Sequence, residues 1–545
     1  MNTRTLTRFG IVLTLASSLA GVTPLADAAH APATGRGGSL VVARAGDIDV
    51  LDPAVSVDPE GIHALHELYS GLLGLTRDNK LYPDLAASMP LVSGGGRSYT
   101  FRLRRGLHFA DGTLLTASDV AFSINRDANP STGCWAVSEL STIDGYNGVE
   151  AGKAKTLSGV TVLDPLTIRF TLARADAVFP YKMSMINFYV VEPRVVARYG
   201  KSFGKHVSGS GPFKFVSYTP GQSLVVARNP YYYGRDASGV QLPYLDKITW
   251  LLNVNDAVAV LKLERGEVDM LADGVPKESY AAVAADPRFG RLLVRQPSLE
   301  PFALTFNEGI KPFNDQRVRK AVAMAINRVR LIKLIGKYRV TALNQRYPKG
   351  LAAYDPTYTG LSYNPAQAKT LLTQAGYPRG FSTTFLAGLW PDTAGDTIVG
   401  QAIQQDLAAI GVQVSVRTVT QATALTLTAK PHAVPMWDTW WGPDFPEASD
   451  YIETIFRCGQ TPPAGFNDQL YCNHRADALL QQAESTVDEG KRIALERQVQ
   501  RIILDDVGIF PLFQLNYVTI RPPRLANFYI HPNWQWDYAY YRLSQ

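Results

Sequence analysis

Leu81-Tyr-Pro-Asp-Leu-Ala-Ala-Ser88, Tyr99-Thr-Phe-Arg-Leu-Arg104, Gly106-Leu-His-Phe-Ala-Asp-Gly112 and Thr116-Ala-Ser-Asp-Val120 follow one another within forty residues of sequence. Tyr99 to Arg104 alternates apolar and polar residues, the period of a half-exposed strand. Asp111-Gly112 reads as a tight turn, and Thr116 caps a helix beginning near Ala117. Upstream, Ser39 to Arg44 reads as a buried strand, with Asp52-Pro53 ending the loop after it. Residues 60–75 carry Leu65, Leu68, Leu72 and Leu73 at helical spacing. Downstream, Val160 to Leu172 holds two strand-like runs about an Asp164-Pro165 turn. Between Pro365 and Tyr377, Ala368, Leu371, Leu372 and Ala375 share one helical face. Ala476 to Asp505 reads as a longer amphipathic helix or pair, and the strand-like Phe510 to Ile520 follows. Strands and helices thus alternate without repeat, which predicts an α/β chain of large lobes.

The 545 residues are 46% apolar and 19% charged, which excludes a disordered, collagen-like or coiled-coil chain. At roughly 100–200 residues per domain, about three structural units are expected. Lys and Arg exceed Asp and Glu by 54 to 48, a net +6. No run of five or six basic residues marks a nucleic-acid partner. Arg4 and Arg8, the apolar stretch Ile11 to Ala20, and Ala26-Asp27-Ala28 or Ala29-His30-Ala31 read as a signal peptide over residues 1–31. That apolar run is shorter than the roughly 20 residues of a membrane span, and no later segment reaches that length. The expected mature protein is periplasmic or secreted and not membrane-spanning. Its leader has no cysteine to carry a lipid anchor. Cys458 and Cys472 bracket a Gly/Pro-rich loop and are expected to form a disulfide in that oxidising compartment, leaving Cys134 as a lone thiol.

Enzyme signatures fail on inspection. Gly200-Lys201-Ser202 resembles the end of a phosphate loop, but Val195 stands at the first glycine position. Gly94-Gly95-Gly96 has the wrong spacing for a dinucleotide fingerprint. His63 and His66 beside Glu67 do not match the zincin pattern, and two polar residues on a helix account for them, with no metal expected. Gly209-Ser210-Gly211 lacks the five-residue nucleophile elbow. No cofactor and no catalytic residue is expected. A secreted hydrolase, the alternative from another class, would need a nucleophile and base that do not stand out.

The opening stretch, with Gly209-Ser-Gly-Pro-Phe213, Arg228-Asn-Pro-Tyr231, Asn307, Pro312-Phe-Asn-Asp-Gln-Arg-Val-Arg319, Tyr363-Asn-Pro365, Ala375-Gly-Tyr-Pro378 and Pro511-Leu-Phe-Gln514, resembles family 5 extracellular solute-binding proteins of ABC transporters. That group holds the periplasmic oligopeptide- and dipeptide-binding proteins. The resemblance spans about residues 39–545. It implies a two-lobed α/β periplasmic-binding-protein fold (type II, cluster C): lobe one over 39–298 plus 520–545, with a sub-domain inserted at 80–205, and lobe two over 299–519. It implies a non-enzymatic monomer that captures a peptide, expected to be an oligopeptide, between its lobes. An ABC permease and ATPase would be its partners.

In oligopeptide binders of this family, an aspartate in a W-x-x-D-Y-type segment pairs with the ligand's α-ammonium. Trp440-Trp-Gly-Pro-Asp-Phe-Pro-Glu447 matches it, placing Asp444 at the amine and Trp441 on the pocket wall, beside Trp440. A buried carboxylate holds a dehydrated ammonium by charge-assisted hydrogen bonds, and indole faces pack on side chains or cations. The loop after Asp52-Pro53 matches the strand that pairs with extended ligand, which makes Val57 and Asp58 main-chain contacts. Two departures weigh against strict dipeptide specificity. The common D-Y-P-D-P run reads Asp444-Phe-Pro-Glu-Ala448, and Thr397 and Ile398 stand near the arginine that dipeptide binders use for the ligand carboxylate. The same fold binding an oligosaccharide, opine or metal chelate is the alternative, with the tryptophans as stacking platforms. Presentation of ligand to a chemoreceptor would share every one of these features.

Overall fold

The computed structural model describes residues 36–389 and 393–544, so the segment read as a leader lies outside the described residues. A five-stranded sheet runs in the order Met270–Leu271, Ser39–Ala43, Lys247–Leu251, Ser223–Arg228 and Phe213–Thr219. Ser39–Ala43 is parallel to both its neighbours, and the remaining pairs are antiparallel. Leu40 and Val42 are fully buried beside Trp250 on one face, and Val41 and Ala43 pack into a second core on the other, so the strand is covered on both faces. A six-stranded sheet holds Val340–Ala342, Phe510–Ile520, Leu293–Phe306, Met436–Trp440, Ser382–Ala387 and Gln413–Thr418, in that order. A smaller antiparallel sheet of Leu91–Ser93, Ser98–Arg102, Thr167–Thr171 and Val160–Asp164 has its own core. Tyr99, Phe101, Ile168 and Phe170 alternate into that core. The fold is the two-lobed α/β type.

The longest strand, Leu293–Phe306, pairs antiparallel with Phe510–Ile520. One end packs with Ala43, Leu263 and Phe289; at the other, Phe302 stacks on Phe513 with ring centroids 4.6 Å apart, inside a different core. This pair therefore passes from one core to the other. Its register breaks between Pro297 and Pro301, where a prolyl nitrogen cannot donate to the ladder. Glu300 sits in that break.

Local chemistry explains most elements. Asp119 Oδ2 accepts the Thr116 N–H at 2.7 Å, closing a capping box at the start of helix Ala117–Ala128. Gly94, Gly95 and Gly96 all have positive φ and turn the hairpin between Leu91–Ser93 and Ser98–Arg102. Gly209 and Gly211 lie so close to the end of helix Pro59–Leu68 that a Cβ on either would come within 2.1 and 2.6 Å of Leu68 backbone atoms. Residues 60–75 are not one helix. The helix ends at Leu68 with Tyr69 extended, and Leu73–Leu75 pairs with Leu81–Pro83. Leu65 and Leu68 enter one core while Leu72 and Leu73 enter another, so leucines at helical spacing serve two elements. Ala476 to Asp505 is a pair, His474–Glu484 and Glu489–Asp505.

Candidate ligand-binding cleft

Strand Met436–Trp440 pairs with the long strand, Trp440 opposite Phe302, and delivers the segment Trp441 to Glu447 to the cleft. Both sides of Asp444 are anchored. Upstream, the Trp441 N–H donates to the Pro301 carbonyl at 3.3 Å. Downstream, Phe445 is buried in the small-sheet core. Glu447 Oε2 accepts from Ser449 N–H and Oγ at 2.9 and 2.8 Å, and its Oε1 accepts from Arg492 Nε at 3.0 Å. The glutamate that departs from the family pattern thus fixes the loop. Asp444 itself is partly buried, and among the described residues it receives no side-chain hydrogen bond or ion pair. Burial, then the charge of Glu139, pushes its carboxyl up to about 7.

Asp444 and Trp440 line a chamber of about 290 Å³ together with Glu300, Trp135, Trp534 and Val57. Trp440 Nε1 donates to Glu300 Oε2 at 3.0 Å, and the Tyr517 hydroxyl donates to Oε1. Burial raises the Glu300 carboxyl and these two bonds oppose the rise. Among the described residues, no lysine or arginine lines this chamber. Two carboxyl groups among indole faces, with no cation among the described lining residues, are chemically suited to a positive group. A second chamber of about 590 Å³ shares Pro59, His63, Tyr517 and Gln535 with the first, so the two adjoin. It is lined by Arg44, Lys277 and Arg339 with Glu60, Asp256 and Asp273, and is mixed in charge.

The structure brings Trp440, Asp444 and Val57 to one chamber, but not Trp441. Trp441 turns away because its Nε1–H donates to Asp450 Oδ2 at 2.9 Å and the buried Arg346 guanidinium lies 6.0 Å from its ring centre. Trp440 takes the wall position instead. Val57 and Asp58 are exposed, and both their backbone N–H groups donate to Asp49 Oδ2, at 2.8 and 3.3 Å. The Asp58 carbonyl accepts from the Ile62 N–H. The main-chain donors expected to pair with ligand are therefore engaged within the loop. Thr397 and Ile398 lie on helix Thr393–Ala408, and neither of the two lines either chamber. Cys458 and Cys472 are joined, and Cys134 is buried. His66, Glu67 and Asp537 bring ligand-type atoms within 4.8 Å of one another. Glu67, however, accepts the Tyr538 N–H and Asp537 accepts the Tyr529 hydroxyl, while His63 bonds Arg44 instead.

Glu300, Trp534 and Trp135 are cleft residues that the sequence did not single out. Glu300 offers the one visible signal, a charge inside the apolar stretch Leu299 to Leu304 of the long strand.

Residues 80–463 match the family described as bacterial extracellular solute-binding proteins, family 5 Middle. The chain belongs to that family. Within family 5 it is 30% identical over 498 residues to the glutathione-binding protein GsiB of Salmonella paratyphi A, covering 91% of this chain and 92% of the relative. The GsiB of Escherichia coli O157:H7 is 29% identical over the same length. Among solved structures, the clavulanic acid biosynthesis oligopeptide binding protein 2 superposes with a TM-score of 0.84 at 24% identity, over 94% of this chain and 96% of the other. Helicobacter pylori DppA in complex with peptide STSA superposes with a TM-score of 0.74 at 24% identity, over 94% and 99%. These superpositions show the shared fold. As a family 5 chain, it is a substrate-binding component of an ABC transporter, with no catalytic family indicated. No helix among the described residues is long and apolar enough to cross a membrane.

Proposed function

We propose that this protein is exported by its 1–31 leader, works outside the cytoplasm as a monomer, and captures a short peptide between its lobes for delivery to a membrane permease driven by a separate ATPase. The lobes divide at 298/299 and 519/520, within the strand pair that passes between the cores. The single observation carrying the peptide reading is Asp444: a carboxylate that, among the described residues, is unpaired and shares its aromatic chamber with no lysine or arginine. A peptide's amino terminus supplies the missing cation. The match to glutathione-binding relatives and the shared fold of a peptide complex support this reading. Closure is a population shift towards the state that ligand contacts from both lobes.

Calorimetric titration with tri-alanine and N-acetyl-tri-alanine tests it. Leaving a buried charge unpaired costs about 2–5 kcal/mol, so acetylation should weaken binding at least about 30-fold. Equal binding of the two would refute the amine assignment. Trp135, Trp440 and Trp534 about one chamber favour a second reading, an oligosaccharide stacked on indole faces. Binding of oligosaccharide and of neither peptide would establish it.

A further inference from the structure

His63 lines both chambers and Arg44 stands beside it in the larger one, and neither belongs to the amine site assigned above. Arg44 is 2% exposed and lines the larger chamber; His63 is 7% exposed and lines both. Arg44 Nη2 lies 2.9 Å from His63 Nδ1. A guanidinium has donors and no acceptor, and it does not lose its proton in proteins. The short contact is therefore a hydrogen bond only if Nδ1 carries a lone pair. That fixes the ring: Nδ1 accepts, and the proton of the neutral imidazole is on Nε2. The surroundings agree with a neutral ring, since burial and then the charge of Arg44 lower its pKa well below the usual value. Nε2 has no hydrogen-bond partner among the described residues, and it is not one of the buried side-chain atoms sealed without one.

We propose that His63, held in a single tautomer by Arg44, donates its Nε2–H to an oxygen of the ligand where the two chambers meet. The residue is a preorganised donor: Arg44 sets its tautomer and orients it, and the adjacent positive charge strengthens the Nε2–H as a donor. With Asp444 and Glu300 taking the cationic end, this donor selects ligands carrying an oxygen acceptor further along the chain. Arg44 acts through His63 and is a positioning residue. The inference rests on the peptide reading only for the nature of that oxygen, a backbone carbonyl or a terminal carboxylate.

Imidazole-nitrogen NMR on the full chain labelled with 15N reads the tautomer directly without ligand, with His63 assigned by the signal lost in His63→Gln. The expected spectrum shows a neutral ring protonated on Nε2, whose resonance moves on saturation with tri-alanine. A ring protonated on Nδ1 would overturn the proposal. In titrations with tri-alanine, His63→Phe should bind about tenfold more weakly, the worth of one hydrogen bond with some charge assistance. His63→Gln, which keeps an N–H near the same place, should recover most of that loss. Arg44→Met should weaken binding in the same direction and release the single tautomer. His63→Phe binding within twofold of wild type would overturn the donor role. Tri-alanine amide distinguishes the acceptors: unchanged His63 dependence identifies an internal carbonyl, and its loss identifies the terminal carboxylate. Failure of wild type to bind tri-alanine counts against the peptide reading alone, and the tautomer then decides the Arg44–His63 inference by itself.

Discussion

Peptide affinity should depend on pH through Asp444, and the size of the effect follows from its surroundings. Without ligand, burial and Glu139 hold the carboxyl up to about 7. An ammonium seated against it returns it to the ordinary carboxylate range or below, about 3.9. The free protein then binds more protons than the complex, so binding strengthens as pH rises and is lost as pH falls through about 7. At pH 5 the carboxyl must give up its proton two units below its free-state value, which costs about 2.7 kcal/mol, or about 100-fold in affinity. Above about 8 the ligand's own amine begins to neutralise, so affinity peaks between the two. Isothermal titrations of tri-alanine at pH 5, 6, 7 and 8, in buffers of different ionisation enthalpy, measure both the slope and the proton released. Asp444→Asn should bind weakly and without that slope. Constant affinity from pH 5 to 7, or a slope that survives in Asp444→Asn, would refute the reasoning.

Other consequences concern the frame around the cleft. The Cys458–Cys472 bridge closes a loop with sequence separation 14; replacing both cysteines by serine should cost about 3 kcal/mol of unfolding free energy, read as a lower urea midpoint that no longer responds to reductant. Cys134 is buried, and burial pushes its thiol up to about 12, so a thiol reagent at pH 8 should label no cysteine in the folded protein and one after denaturation. Arg492 holds both Glu447 and Glu496, at 3.0 and 3.8 Å, where all three are buried. Arg492→Met should cost about 3–5 kcal/mol of stability at neutral pH by orphaning those carboxylates, and chemical denaturation checks it.

Much of the fold was legible because local chemistry dictates it. The capping box at Thr116, the alternation of Tyr99 and Phe101, and the apolar run Leu40 to Val42 all sit as their patterns require. The helix read over 60–75 failed at Leu72 and Leu73, where one spacing suits either a last helical turn or a buried strand; the arbiter is the neighbouring hairpin partner Leu81–Pro83. In the cleft, the sequence named both indoles of the segment, and the structure lines the chamber with Trp440 while Trp441 turns away. Adjacent residues beside a strand end point to opposite faces, and which face meets the cleft depends on the pairing of Trp440 with Phe302 and on Asp450 capturing Trp441. Asp49 taking the Val57 and Asp58 N–H groups is a loop contact without periodicity. Glu300, Trp534 and His63 come from remote parts of the chain, and only folding assembles them.

Native mass spectrometry of protein purified from cells without refolding tests the central claim most directly. The account predicts a heterogeneous set of bound masses in the peptide range, diminished in Asp444→Asn. A single bound mass of an oligosaccharide or a metal chelate would contradict it.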